Sequence, residues 1–148
     1  MKIYLDTCSL QRPLDSKTQI RINLEAEAIL GVIGLCENGE IELLSSDVLH
    51  YEISRNPNVM RREFGLEVLS KADTFVPLNE SVEQRAKTFG QVGIKPLDAL
   101  HLASAEEAEA DYFCTCDDKF LRKAKAISDL KVKAVSPLEL IEVLEDDS

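Results

Sequence analysis

Pro96-Leu97-Asp98-Ala99-Leu100-His101-Leu102-Ala103-Ser104-Ala105-Glu106-Glu107-Ala108-Glu109-Ala110 runs straight into Asp111-Tyr112-Phe113-Cys114-Thr115-Cys116-Asp117-Asp118-Lys119-Phe120-Leu121. Proline suits the first position of a helix, so a helix is predicted from Pro96 to about Ala110. Tyr112 to Cys116 is a short apolar run and reads as a strand. Asp117 then caps a helix that carries Phe120, Leu121, Ala124 and Ile127 at helical spacing. Helix, strand and helix follow one another with almost no linker. That order is the mark of a parallel sheet with crossover helices.

The same alternation extends in both directions. Lys2 to Leu5 reads as a buried strand ended by Asp6. Thr7 to Gln19 is polar, with Pro13 and Asp15 marking a loop. Ile22, Ala26, Ile29, Ile33 and Cys36 then recur at helical spacing until Asn38-Gly39 stops the helix. Ile41 to Leu44 is a second strand, and Ser45-Ser46-Asp47 caps a helix that Asn56-Pro57-Asn58 breaks. Met60 to Ala72 reads as helix, Thr74 to Leu78 as strand, and Asn79 caps a helix through Phe89. After the quoted stretch come a strand at Val132 to Val135 and a capping box, Ser136-Pro137-Leu138-Glu139. The expected fold is three-layer α/β/α around a mostly parallel sheet. Residues 1–144 are expected to form one domain and residues 145–148 an acidic tail.

A chain of 148 residues is long enough to bury one sizeable core. With 27 Asp and Glu against 17 Lys and Arg, the net charge of −10 argues against a protein that coats nucleic acid. It leaves room for carboxylates gathered around a cation. No apolar run suits a membrane helix, and Lys2 and Asp6 come too early for a signal peptide. No membrane partner and a cytoplasmic location are therefore expected. Cys8, Cys36, Cys114 and Cys116 are then expected as reduced thiols.

Ligands bind at the carboxyl edge of a parallel sheet. Asp6 and Asp117 each end a strand there. Asp98 lies in the first turn of a helix that feeds into a strand, so it starts at the same edge. Glu52 lies near it, in the helix that leaves the second strand. Four carboxylates brought together repel one another and raise each other's pKa. A hard cation removes that cost, and oxygen-only ligands select Mg²⁺ or Mn²⁺ over zinc. Such a site suits metal-dependent phosphodiester hydrolysis.

These residues resemble the PIN-domain family, the VapC-like ribonucleases, over nearly the whole chain. The resemblance rests on Tyr4-Leu5-Asp6-Thr7, Tyr51-Glu52-Ile53, Leu97-Asp98-Ala99-Leu100-His101-Leu102-Ala103 and Cys114-Thr115-Cys116-Asp117-Asp118-Lys119-Phe120. It implies a PIN-like fold, an acidic Mg²⁺ or Mn²⁺ pocket and endonucleolytic cleavage of RNA. It also implies a toxin with an antitoxin partner, and frequent homodimers. The family's acids carry over to Asp6, Glu52, Asp98 and Asp117, and Thr115 matches the hydroxyl residue two before the last acid. Asp118 is expected as a supporting or substitute ligand. Where the family often has Ser or Asn, two residues after the first Asp, this chain has Cys8. Ser9 is the expected substitute for that polar role.

Arg12 and Lys119 are the candidates for phosphate contacts. His101 is expected as a hydrogen-bonded packing residue, His50 as a surface residue, and Glu25 and Glu27 on solvated helix faces. Two other readings compete with the nuclease. A non-catalytic PIN-like scaffold would bind a partner only, and retention of all four acids speaks against it. A phosphoaspartyl protein, phosphatase-like or receiver-like, would want an acid where Cys8 stands or a Lys where Ser136 precedes Pro137.

Overall fold

The computed structural model describes residues 1–146. Five strands form one sheet: β1 (Lys2–Leu5), β2 (Glu42–Ser46), β3 (Thr74–Val76), β4 (Tyr112–Cys114) and β5 (Lys133–Val135), in the order β3-β2-β1-β4-β5. Every pairing is parallel, with Leu5 opposite Cys114 and Ser46 opposite Val76. The helices are α1 (Thr7–Leu10), α2 (Ile20–Glu37), α3 (Asp47–Ser54), α4 (Val59–Leu69), α5 (Glu80–Gly90), α6 (Pro96–Glu107), α7 (Asp118–Lys125) and α8 (Pro137–Asp146). Together they make the three-layer α/β/α fold, with a wholly parallel sheet where a mostly parallel one was expected.

The strand order decides where a ligand can sit. The chain moves outward from β1 through β2 to β3, then crosses back to β4 on the other side of β1. The order therefore reverses between β1 and β4. At such a switch point the two flanking crossovers diverge and open a crevice beyond the strands' carboxyl ends.

Packing follows the alternation of side chains along each strand. Tyr4 and Phe113, paired across β1 and β4, stack with ring centroids 5.5 Å apart, and Phe120 of α7 meets Phe113 edge-on. α6 packs on β2 and β4, and α8 on β4, β5 and α2. Ile3, Leu5, Leu44, Leu102 and Phe113 are almost fully buried in this shared core. Gly65 lets α4 lie against α3, since a Cβ there would stand 2.6 Å from Ile53 Cγ2.

Several boundaries differ from the sequence reading. Thr7 to Gln19 is not a plain loop. Asp6 caps α1, and a 3₁₀ turn at Arg12–Leu14 follows. Four helical residues are too few to show a period, so only the capping Asp signals α1. β4 stops at Cys114, which leaves Thr115 and Cys116 in the connection to α7. β2 runs through Ser45 and Ser46, α4 ends at Leu69, and β3 ends at Val76. The capping box before α8 forms, with Glu139 N–H donating to Ser136 Oγ and Ser136 N–H to Glu139 Oε1. Of the expected acidic tail, Glu145 and Asp146 belong to α8, and residues 147 and 148 lie outside the described residues. Among the described residues, no helix is long and apolar enough to cross a membrane.

Candidate active site at the sheet's switch point

Asp6 stands directly after β1. It is 3% exposed and works as the N-cap of α1, its Oδ1 accepting from Ser9 N–H at 3.0 Å. The Cys8 thiol also points at this carboxylate, 3.2 Å from Oδ1. Asp117 follows the adjacent strand and caps α7, its Oδ1 accepting from Phe120 N–H at 3.1 Å. Thr115 lies between the two acids. Its hydroxyl accepts the Asp117 N–H at 3.1 Å and works to lower the Asp6 carboxyl against its burial. Asp98 sits in the first turn of α6, after Lys95 and Pro96. Asp98, Asp117, Lys95, Lys119 and Lys123 line one shallow cleft. Glu52 comes from α3, where Thr7 Oγ1 donates to its Oε1 at 2.8 Å and His101 Nε2 reaches the same oxygen.

The four acids thus arrive from four elements at the edge where β1 and β4 end. Their electrostatics report the crowding. Burial, with Cys8 beside it, pushes the Asp6 carboxyl well above the usual range, and Thr115, His101 and Ser9 offset only part of this. Burial also raises the Asp98 carboxyl. Asp117 and Glu52 repel its charge and push the same way, against His101 and Lys95. For Glu52 burial works upward too, but the bonds from His101 and Thr7 outweigh it and hold the carboxyl below its ordinary value.

These donors suit a hard cation. They are carboxylate and hydroxyl oxygens, and Asp98 makes no side-chain hydrogen bond among the described residues. No three His, Cys, Asp or Glu side chains among the described residues already form a closed metal cluster. The arrangement is an open rim, which fits a cation that keeps several waters and takes one or two carboxylates directly, as Mg²⁺ does.

Other expected site residues stand elsewhere. Asp118 faces away from the rim and pairs with Arg21 through two hydrogen bonds of 2.7 and 2.5 Å. An N-cap and the residue after it diverge by a helical step of about 100°, so both cannot serve one site. Ser9 does not take the polar role through its side chain, because its hydroxyl donates to Cys114 O at 3.2 Å. Cys8 makes the contact with Asp6 instead, and Ser9 contributes its backbone N–H. Arg12 is not free for phosphate. It holds Asp15 at 2.8 Å and Glu25 at 2.9 Å. Glu25 is therefore no solvated residue but 1% exposed on the core side of α2. Glu27 and His50 are exposed, as expected. Lys119 remains at the cleft, and Lys95 and Lys123 join it there. Lys95 is legible in the sequence as a basic residue flanking Asp98, and nothing local signals Lys123.

His101 is buried and hydrogen-bonded, as expected, but its partner Glu52 was not foreseen. Pairing of the two needs the fold, since 49 residues separate them.

Comparison with known proteins places the chain in a family. The chain is 28% identical over 131 residues to Ribonuclease VapC47 of Mycobacterium tuberculosis, covering 84% of this chain and 91% of that protein. Its fold is similar to a crystal structure of VapBC2 from Rickettsia felis bound to a DNA fragment from their promoter, with a TM-score of 0.58. That likeness covers 92% of this chain and 98% of the other at 16% identity, so it concerns the fold alone. The family profile described as PIN domain matches residues 3–126, which include all four acids. The chain belongs to the PIN-domain family.

Proposed function

We propose that this chain is a metal-dependent endoribonuclease that hydrolyses RNA phosphodiester bonds at the rim formed by Asp6, Glu52, Asp98 and Asp117. The observation that carries the reading is the Asp98 carboxyl, which lines a cleft with Asp117 and is raised by burial and by the charges of Asp117 and Glu52 beyond what His101 and Lys95 offset. A protein keeps such a cost where a ligand removes it. Mg²⁺ or Mn²⁺, when bound, supplies charge neutralisation at the acids and Lewis acidity toward the phosphodiester.

The chain's own residues do the rest. Asp98 and Asp117 offer oxygens from the two sides of the cleft. Glu52 is kept ionised by His101 and Thr7, so it stays a ligand. Thr115 accepts the backbone N–H of Asp117 and holds that acid at the turn into α7. Lys119 and Lys95 at the cleft edge meet the phosphates flanking the scissile one, as point charges. In this reading Arg12 has no part in substrate binding.

The named ribonuclease relative supports RNA as substrate. The VapBC2 complex of similar fold is in keeping with a toxin role and an antitoxin partner, and a homodimeric state and a cytoplasmic location are part of the same proposal. The test is cleavage of a mixed single-stranded RNA substrate with Mn²⁺, with Mg²⁺ and with EDTA. Metal-dependent cutting that Asp98→Asn loses is the expected result. Full activity in Asp98→Asn, or equal cutting in EDTA, overturns the site.

A further inference from the structure

Tyr4 and Ser46 are buried to 0% exposure and His101 to 1%, although all three are polar. Together they form one chain of hydrogen bonds that ends on Glu52. Leu49 N–H donates to Ser46 Oγ at 3.1 Å, Ser46 Oγ meets Tyr4 OH at 2.7 Å, and Tyr4 OH meets His101 Nδ1 at 2.7 Å. On the other side of the ring, Nε2 meets Glu52 Oε1.

The direction of each bond follows from what each group can do. An ionised carboxylate only accepts, so His101 Nε2 must carry the proton. With the ring neutral, Nδ1 accepts from Tyr4 and Ser46 donates to Tyr4; with the ring charged, Nδ1 donates to Tyr4 and Tyr4 to Ser46; in both, the proton on Nε2 faces Glu52. Ser46 still accepts from Leu49, so every group in the chain is satisfied. Thr7 Oγ1 adds a second donor to the same carboxylate oxygen. Glu52 Oε2 takes no hydrogen bond among the described residues. Two donors on one oxygen fix a side chain that would otherwise rotate about three bonds, and they leave the other oxygen for a ligand.

We propose that His101 is a positioning residue, aimed by Ser46 and Tyr4, that holds Glu52 Oε1 so that Oε2 is presented to the cation. The inference rests on the cation reading above and explains why a polar chain runs through the core beside β1. Its role is in metal affinity, through Glu52, and not in proton transfer to or from RNA.

The experiment measures Mn²⁺ binding to the full chain by electron paramagnetic resonance of the free ion, without RNA. Glutamine places an amide N–H close to the position of imidazole Nε2, and leucine places none. His101→Leu is expected to bind Mn²⁺ about tenfold more weakly, the size usual for losing a group that holds a ligand. His101→Gln is expected to stay within about threefold of wild type, because the donor is kept. Tyr4→Phe keeps the stacked ring and loses only the aiming hydroxyl, so its affinity is expected between wild type and His101→Leu. This variant also serves if leucine disturbs folding. Wild-type affinity in His101→Leu or in Tyr4→Phe overturns the inference, as does His101→Gln binding as weakly as His101→Leu. Wild-type protein that binds no Mn²⁺ at all overturns the cation reading itself. Nitrogen-15 NMR of the metal-free protein decides the orientation separately. A protonated Nε2 is expected, and a ring protonated at Nδ1 alone overturns the proposal whatever the metal result.

Discussion

Two clusters of acids share this fold, and their treatment is opposite. Glu25, Asp15 and Asp118 each have an arginine. Arg12 bridges Asp15 and Glu25, Arg61 holds Asp15 at 2.7 Å, and Arg21 reaches from Glu25 to Asp118. Asp6, Glu52, Asp98 and Asp117 have no salt-bridged arginine among the described residues, and only Glu52 has a histidine. The carboxyls of Asp15 and Asp118 accordingly sit below the ordinary value, whereas those of Asp6 and Asp98 sit above it. The paired cluster fastens the connection after β1 to α2, α4 and α7. In the other cluster Asp6 and Asp98 keep raised carboxyls with no arginine paired to them among the described residues. Under the proposed function, an acid's partner rather than its burial separates the structural acids from those that would hold a cation.

The largest expected effect comes from the unpaired cluster. Asp98→Asn should lower cleavage by more than about a hundredfold, beyond the loss typical of a supporting group. It should also leave the metal-free protein at least as stable, because one repelled charge is gone. The pH dependence follows from the direction of the shift. A carboxyl with a raised folded pKa contributes stability that is complete below its unfolded pKa and is lost as pH rises through the folded one. The gain in Tm of Asp98→Asn over wild type should therefore be greatest at neutral pH. It should shrink as the pH falls toward the ordinary Asp value of 3.8. Mn²⁺ should raise the Tm of wild type and leave the variant nearly unmoved. A gain independent of pH in metal-free thermal melts would break the comparison.

A substitution in the paired cluster should do the reverse. Glu25 is 1% exposed and meets Arg12, which is 19% exposed at its side chain. Glu25→Gln should cost about 2 kcal/mol, less than the 3–5 of a fully buried pair, because Arg12 keeps Asp15 and some water. Cleavage per folded molecule should change little. Urea unfolding measures the first and a normalised RNA assay the second. A variant as stable as wild type would mean that the arginines are satisfied without Glu25.

The two clusters also differ in how well the sequence announces them. Asp6, Asp98 and Asp117 sit at strand ends and helix starts, where punctuation is strongest, and their rim was legible once the strands were placed. So was the parallel α/β sheet, since each strand and helix carries its own period. The ion pairs were not legible. Arg21 meets Asp118 across 97 residues, and that contact depends on side-chain direction at two helix starts. Glu25 did leave a signal. It lies three residues after Ile22 and four before Ile29, on the stripe that packs inward. A carboxylate on that stripe is buried, and a buried carboxylate needs a cation. His101 was legible as a core residue, but its bond to Glu52 was not, because α3 and α6 meet only in the folded chain.

The smallest effect is the one that separates neighbours in sequence. Asp117 and Asp118 are adjacent and chemically identical, yet one lines the cleft and the other is an exposed partner of Arg21. Asp118→Asn removes an ion pair in solvent, where screening and side-chain entropy cancel most of the attraction. Arg21 keeps Glu25 at 3.4 Å, so the fastening of α2 survives. Thermal melts of Asp118→Asn should match wild type closely, and cleavage should stay within about twofold, as suits an exposed pair. Asp117→Asn in the same assay should lose cleavage as Asp98→Asn does. If the two neighbours behaved alike, the helical step that turns Asp118 away from the rim would not be what divides structural from ligand-binding acids, and the contrast between the clusters would fail at its closest point.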